Sequence, residues 1–150
     1  MIARRQAWTV GVFLLAFAAR VAYLFWAQPA FAGYYWDLSS SLLQTGTLAL
    51  DGVRTTGFEP LYPLFLAGAR FATGGSVFAV QLIQCAMASA AVLFFLAAVR
   101  SLSNERAAVI ASVLFSVHPL LIRHSSDLSD SALTTTTLLA FVWAFVRIGG

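Results

Sequence analysis

Apolar residues are grouped along the chain into long stretches that polar or turn-rich segments separate. An α-helix needs about 20 mostly apolar residues to cross a hydrocarbon core about 30 Å thick. Four stretches qualify or come close, and they run over residues 7–27, 76–99, 107–122 and 131–147. The third is the shortest and carries His118 and Pro119 near its end. The pattern predicts an all-α integral membrane protein in which residues 1–150 form a single transmembrane module of about four helices.

The segment 28–75 between the first two stretches is predicted to lie outside the membrane. Apolar residues recur at helical spacing over 34–44, and Gly46 is a natural helix stop. This pattern, with aromatic residues on its flank, favours a short amphipathic helix in the membrane interface. Residues 51–57 are turn-rich, and the apolar string 60–67 is too short to span. We expect that string to be re-entrant or buried against the second transmembrane helix.

The composition supports a membrane location and excludes several other classes of protein. Hydrophobic residues make up 60% and charged residues 10% of the chain, whereas a soluble domain carries about 25% charged residues. The net charge is +3, but the nine basic residues are scattered arginines, so a nucleic-acid partner is not expected. Cys85 is the only cysteine, which excludes an intrachain disulfide and a cysteine-based metal cluster.

The distribution of charge predicts the orientation. With a cytoplasmic N-terminus, five arginines lie inside and three outside, in agreement with the positive-inside rule. Five of the six acids then lie outside: Asp37, Asp51, Glu59, Asp127 and Asp130. We therefore expect a multi-pass protein of the bacterial cytoplasmic (inner) membrane with a functional site on its outer face. Arg20, inside the first stretch, should face the bundle interior because an unpaired charge in lipid is costly.

A cleaved signal peptide is the alternative for the first stretch, since Arg4 and Arg5 precede it and Ala-Gln-Pro-Ala-Phe-Ala follows at 27–32. The apolar run is longer than the 7–15 residues of a signal sequence and contains Arg20. A retained helix is favoured.

The outer acids allow both a structural and a chemical interpretation. Asp37, expected in the first turn of the interfacial helix, either complements the helix dipole or acts as a general base at the water–lipid boundary. Asp127 fits a helix cap, whereas Asp130 lies deeper and is the better candidate to face a cavity. Glu59 either belongs to a rigid proline hairpin or points into an outer cavity.

Arg123 and His124 precede the acids of the fourth helix. Two such groups at the outer surface can hold a phosphate, but Arg123 can equally extend its side chain to the interface. Both interpretations stay open at this point.

Several strings, taken in order, resemble the N-terminal part of a GT-C glycosyltransferase, in the group that includes protein mannosyltransferases, aminoarabinose transferases and rhizobial lipopolysaccharide sugar transferases. Tyr35 with Ser39, Leu42 and Gly46 is similar to the helix of the family's first outer loop. The string 59–67 is similar to its "EP-x-YP-x-FLA" motif, and 104–108 to its cytoplasmic turn. Residues 81–84 resemble its "Q-x-x-Q", and 118–130 its "P…yss…lsE", with Asp130 in the place of the glutamate.

The resemblance implies inverting transfer of a hexose or pentose from a polyprenyl-phosphate sugar to a glycan, lipid or protein acceptor on the outer face. It implies no required cofactor and no metal, because the donor phosphate carries the leaving charge. The family's aspartate precedes the loop tyrosine, where this chain has Phe31, Ala32 and Gly33, so the nearest acid is Asp37. The implied catalytic residues are Asp37, Asp130 and Glu59, and the implied substrate-binding residues are Tyr35, Arg123, His124 and Asp127.

Family members have many more helices, which predicts that these 150 residues are a fragment of a longer enzyme. The competing hypothesis is a non-catalytic polytopic membrane subunit or a transporter fragment, whose outer acids are dispensable.

Overall fold

The computed structural model describes residues 2–27, 33–55, 57 and 59–149, with side chains described from residue 5 onward. The helices are α1 (Ile2–Ala27), α2 (Gly33–Thr45), α3 (Leu61–Thr73), α4 (Val77–Leu102), α5 (Glu105–Ser116), α6 (Pro119–Ser126) and α7 (Ser131–Gly149). Two short strands, β1 (Ala49–Leu50) and β2 (Val53–Arg54), form an antiparallel hairpin. The possible cleavage segment beyond Ala27, Phe31 and Ala32, and the side chain of Arg4 lie outside the described residues.

Three described helices are long and apolar enough to cross a membrane: Arg5–Ala27 of α1, α4 and α7. A fourth span exists if α5 and α6 count together, although their axes are bent by 55°. The prediction of a helical chain with about four apolar spans is confirmed at this level. The single helix expected over 107–122 is not continuous, because Pro119 has no backbone N–H and disfavours helical geometry in the residue before it. His118 accordingly has extended backbone angles.

Helix α4 lies at the centre of the bundle and packs against α1, α3, α5, α6 and α7. In its most apolar window 44% of the residues are buried, against 6% in α7. The outward side of α7 is formed by large apolar residues, including Leu138, Phe141, Phe145 and Ile148. Helix α7 is thus attached by one face and presents the other to the surroundings.

The helix predicted over 34–44 is present as α2. Gly46 ends it as expected: its N–H donates to the carbonyl of Leu42 at 3.0 Å, and its positive φ of 70° then turns the chain out of the helix. The turn-rich segment forms the β1–β2 hairpin, where Asp51 and Gly52 both have positive φ, as a two-residue type I′ turn requires.

Helix α3 is longer than the string 60–67 and packs against α2 and α4. Burial against the second long helix, one of the two alternatives, is therefore observed. A core of Leu38, Tyr62, Leu66, Val80 and Leu128 joins α2, α3, α4 and the segment before α7. We call this end of the molecule, with α2, α3, the hairpin and the start of α7, the outer end, after the orientation that the sequence predicts.

The opposite end carries a small ion-pair network. The Arg100 guanidinium lies 2.6 Å from Glu105 Oε1, and Arg5 Nε lies 3.5 Å from Glu105 Oε2. These three residues, all predicted to share the cytoplasmic side, therefore lie together at one end of the bundle.

Candidate functional site at the outer end

A groove of about 380 Å³ lies between the start of α3 and the outer half of α7. Two of the predicted catalytic acids, Glu59 and Asp130, line it together with Tyr62. The rest of its wall is contributed by Leu61, Leu133, Thr134, Thr137, Leu138 and Phe141. We call this feature the α3–α7 groove. It combines acidic and hydroxyl side chains with an apolar surface.

Asp130 is half-buried and sits immediately before α7, where its carbonyl accepts a hydrogen bond from the N–H of Thr134 at 2.9 Å. The segment before it is fixed by Gln84 of α4, whose Nε2 donates to the carbonyls of Asp127 at 2.6 Å and Ser129 at 3.3 Å. Leu128 between them is fully buried. The position of Asp130 is thus set by α4.

Tyr62 connects the other wall of the groove to the same glutamine. Its hydroxyl donates to Gln84 Oε1 at 3.0 Å, and the residue is only 1% exposed. Burial raises the pKa of Tyr62 well above its usual range, and the charge of Asp130 raises it further. The phenol therefore stays protonated and keeps its hydrogen bond. Tyr62 was not predicted to be a site residue from the sequence, although the Tyr62-Pro63 pair in the string 59–67 was a signal for it.

Tyr35 packs behind this wall. Its ring meets the Tyr62 ring edge-on, with centroids 4.8 Å apart and planes at 80°. The pKa of Tyr35 is raised by burial first, then by a hydrogen bond with Tyr34 and by the charges of Asp130 and Glu59. Tyr35, a predicted substrate-binding residue, is therefore buried behind the groove wall, and the charges of both groove acids affect its pKa.

Asp37 lies apart from the other two predicted catalytic acids. It is the fifth residue of α2, so the expected placement in the first helical turn is wrong, because the helix already begins at Gly33. Its side chain is exposed and lines a separate polar cleft of about 440 Å³ between α2 and the hairpin. Asp51, Gln44 and Arg54 line the same cleft.

Arg70 of α3 is an organising residue that sequence analysis used only for orientation. Its Nη1 donates to the carbonyl of Trp36 at 2.9 Å and to the hydroxyls of Ser39 and Ser40 at 2.7 Å each. The guanidinium lies over the Trp36 ring, 3.9 Å from its centroid. Burial lowers the pKa of Arg70, and the nearby charge of Asp37 partly offsets this. The pairing of α2 with α3, which no local pattern encodes, creates these contacts.

The predicted phosphate-binding residues are divided between two places. Arg123 is largely exposed and lies 3.9 Å from Asp127. Asp127 ends α6, with its N–H bonded to the carbonyl of Arg123 at 3.0 Å. The expectation that Asp127 caps the fourth long helix is wrong, because α7 begins four residues later at Ser131. His124 instead lines a small, partly open cavity together with Arg20.

Arg20 is buried in the bundle, as expected, with 1% exposure. Its Nη1 donates to the carbonyls of Ala16 at 2.9 Å and Ser116 at 3.4 Å. The second carbonyl belongs to the last residue of α5, so Arg20 lies at the negative end of that helix.

Among the described residues there is no group of three or more His, Cys, Asp or Glu side chains able to hold a metal ion. No protein-family model matches the chain, and no curated protein and no solved structure matches it either. The geometry of the outer end is therefore the basis for assigning a function.

Proposed function

We propose that the chain is an integral membrane protein and part of a GT-C-type glycosyltransferase that uses a polyprenyl-phosphate sugar as donor. Transfer takes place at the outer end, to a glycan, lipid or protein acceptor. The proposal places the chain in the bacterial inner membrane with a cytoplasmic N-terminus. The observation that supports it best is the α3–α7 groove, in which two carboxylates adjoin an apolar surface.

The shape of the groove suits a ligand with a polar head and a long apolar tail. Asp130, Thr134, Thr137, Leu138 and Phe141 recur at intervals of three or four residues and so share one face of α7. Phe141 lies 11 positions after Asp130, a rise of about 17 Å at about 1.5 Å per residue. This is about half of a hydrocarbon core of about 30 Å. A sugar phosphate at Asp130 thus leaves its lipid tail beside Phe141.

The acids supply the chemistry that transfer requires. In the proposed reaction a carboxylate, Asp130 or Glu59, accepts the proton of the acceptor hydroxyl. The acceptor oxygen forms a bond to the anomeric carbon, while the bond from that carbon to the phosphate oxygen breaks and the lipid phosphate leaves. We assign the role of base to these acids rather than to Asp37 because they line the same groove as the apolar surface. Arg123, exposed on α6, is assigned to the charge on the leaving phosphate.

A transfer assay tests this assignment. We would measure transfer of radiolabelled sugar by the full-length protein in native membranes, from a panel of polyprenyl-phosphate hexoses and pentoses. Asp130→Asn or Glu59→Gln is expected to lower the rate about 10²–10⁴-fold, the usual contribution of a general base. Asp51→Asn, an exposed acid of the hairpin, is the matched control and should transfer at the wild-type rate. Wild-type transfer by both groove variants would refute the catalytic assignment.

Lipid binding is tested separately, without knowledge of the sugar. A benzophenone-bearing polyprenyl phosphate in vesicles should label the peptide around Leu138 and Phe141 of α7 on irradiation. The exposed Ile110 and Leu114 of α5 provide an apolar surface for comparison. Preferential labelling of α7 supports a lipid-linked ligand in the groove. Equal labelling of α5 and α7 favours the non-catalytic subunit.

A further inference from the structure

A second, smaller cavity, which is partly open, lies between α1, α6 and α7 and shares no lining residue with the α3–α7 groove. Its volume is about 20 Å³, enough for one particle the size of a water molecule. Arg20 of α1, His124 and Ser125 of α6, and Ser131 and Thr135 of α7 contribute to its wall. The rest of the wall is apolar and is formed by Ala88, Phe115, Leu121 and Ala132. Charged and polar side chains from three helices thus adjoin a mostly apolar space for a single small ligand.

The guanidinium beside this cavity is incompletely satisfied. Arg20 is 1% exposed, and its Nε is buried without a hydrogen-bond partner. Its Nη1 donates only to backbone carbonyls, and none of the ion pairs in the described part of the chain includes Arg20. A full positive charge inside an apolar bundle is costly without a compensating negative charge. The cavity is the open space next to that charge.

The other walls favour an anion over a cation. Ser131 and Ala132 belong to the first turn of α7, and the N-terminal end of a helix is electropositive. The Ser125 hydroxyl already donates to the carbonyl of Ile122 at 2.9 Å, but the hydroxyls of Ser131 and Thr135 are able to donate hydrogen bonds. The wall includes no carboxylate. Phosphate, sulfate and carboxylate ligands are too large for the space.

We propose that this cavity is a binding site for one small monovalent anion of the halide class, with Arg20 as its counter-charge. The anion neutralises the charge of Arg20, which the carbonyls of Ala16 and Ser116 offset only in part. It also links α1 to α6 and α7 at a level below the outer end. This inference does not depend on the transferase proposal.

The test is the anion dependence of thermal unfolding of the full chain in detergent micelles, followed by tryptophan fluorescence. We would compare sodium chloride and sodium bromide with sodium gluconate and sodium sulfate at equal ionic strength. Halide should raise Tm in a saturable way, by about 3–6 °C at about ten times its dissociation constant. An equal Tm in all four salts would mean that the cavity holds water only, and would overturn the proposal.

Two variants locate the effect. Arg20→Met removes the charge and fills its place with an apolar chain, so the halide shift should disappear while Tm in gluconate is equal to or above that of wild type. Arg54→Met, on the exposed hairpin, should keep the full shift. A halide shift that persists in Arg20→Met would place the anion elsewhere and refute the site. If Arg20→Met does not fold, Thr135→Val decides: a reduced shift supports the site and an unchanged shift refutes it.

Discussion

Replacing Gln84 by Leu should destabilise the outer end more than replacing any other residue with a side-chain amide. Gln84 is fully buried, and its two closest hydrogen bonds are those with Asp127 O at 2.6 Å and the Tyr62 hydroxyl at 3.0 Å. Leu has a similar volume, so the change removes the bonds without opening a large cavity. It leaves the buried Tyr62 hydroxyl without a partner, whereas the Asp127 carbonyl still accepts the N–H of Ser129 at 2.8 Å.

The magnitude follows from one unpaired hydroxyl and one lost hydrogen bond. Each buried polar group left unpaired costs about 1–3 kcal/mol, while hydrogen bonds between membrane helices average about 0.6 kcal/mol and reach about 1.7 kcal/mol. The unpaired Tyr62 hydroxyl and the lost bond to Asp127 together correspond to a loss of about 2–4 kcal/mol in the free energy of unfolding. The longer bond to Ser129 at 3.3 Å adds little.

The assay is denaturant unfolding in micelles, followed by tryptophan fluorescence. Gln81→Leu is the matched control, because Gln81 lies one helical turn away on α4 and makes a 3.3 Å bond to the carbonyl of Ser126. It should lose about 1 kcal/mol or less. In a double-mutant cycle, Tyr62→Phe and Gln84→Leu should couple by about 1 kcal/mol. A Gln84→Leu protein as stable as the Gln81→Leu protein would refute the reasoning.

Three further predictions concern neighbouring features. Arg70→Lys should lower Tm by several degrees and change Trp36 emission, because an ammonium cannot reproduce the planar stacking and the three hydrogen bonds of the guanidinium; unchanged emission would contradict this. Gly46→Ala should cost about 1 kcal/mol because φ is positive there, whereas Gly68→Ala inside α3, where a Cβ meets nothing within 4 Å, should stabilise by about 0.5–1 kcal/mol. The pKa of Tyr62 is raised in the folded state, so its stabilising effect is fully present below the unfolded pKa of about 10 and is lost as pH rises beyond that value. The Tm of the Tyr62→Phe protein should therefore fall less at alkaline pH than the Tm of wild type.

Much of the helical architecture could be predicted from the sequence because hydrophobic periodicity is a local property. The expected limits of the first, second and fourth stretches differ from those of α1, α4 and α7 by only a few residues at each end. Gly46 ended α2 as its conformational freedom predicts. The third stretch was predicted as one span because composition was weighed above the geometry of Pro119, which divides it into α5 and α6.

The candidate site was only partly accessible from the sequence, because clefts depend on which helices pack together. Glu59 and Asp130 are far apart in sequence yet line one groove, whereas Asp37, much nearer to Glu59, lines another. The organising roles of Gln84 and Arg70 arise from contacts between residues 22 to 45 positions apart. Hydrophobic periodicity predicts on which face of its helix a residue lies. It does not predict which neighbouring helix packs against that face.

In the proposed membrane location, the contact between Arg20 and the end of α5 affects how the chain is inserted. Its carbonyl partner Ser116 is synthesised 96 residues later, which at about 5–20 residues per second is a delay of about 5–19 s. During that time the first helix must hold a charge whose insertion costs about 2.5–3.5 kcal/mol at mid-membrane. Biogenesis of this protein should therefore depend on the protein-conducting channel retaining α1 until the third hydrophobic stretch emerges from the ribosome.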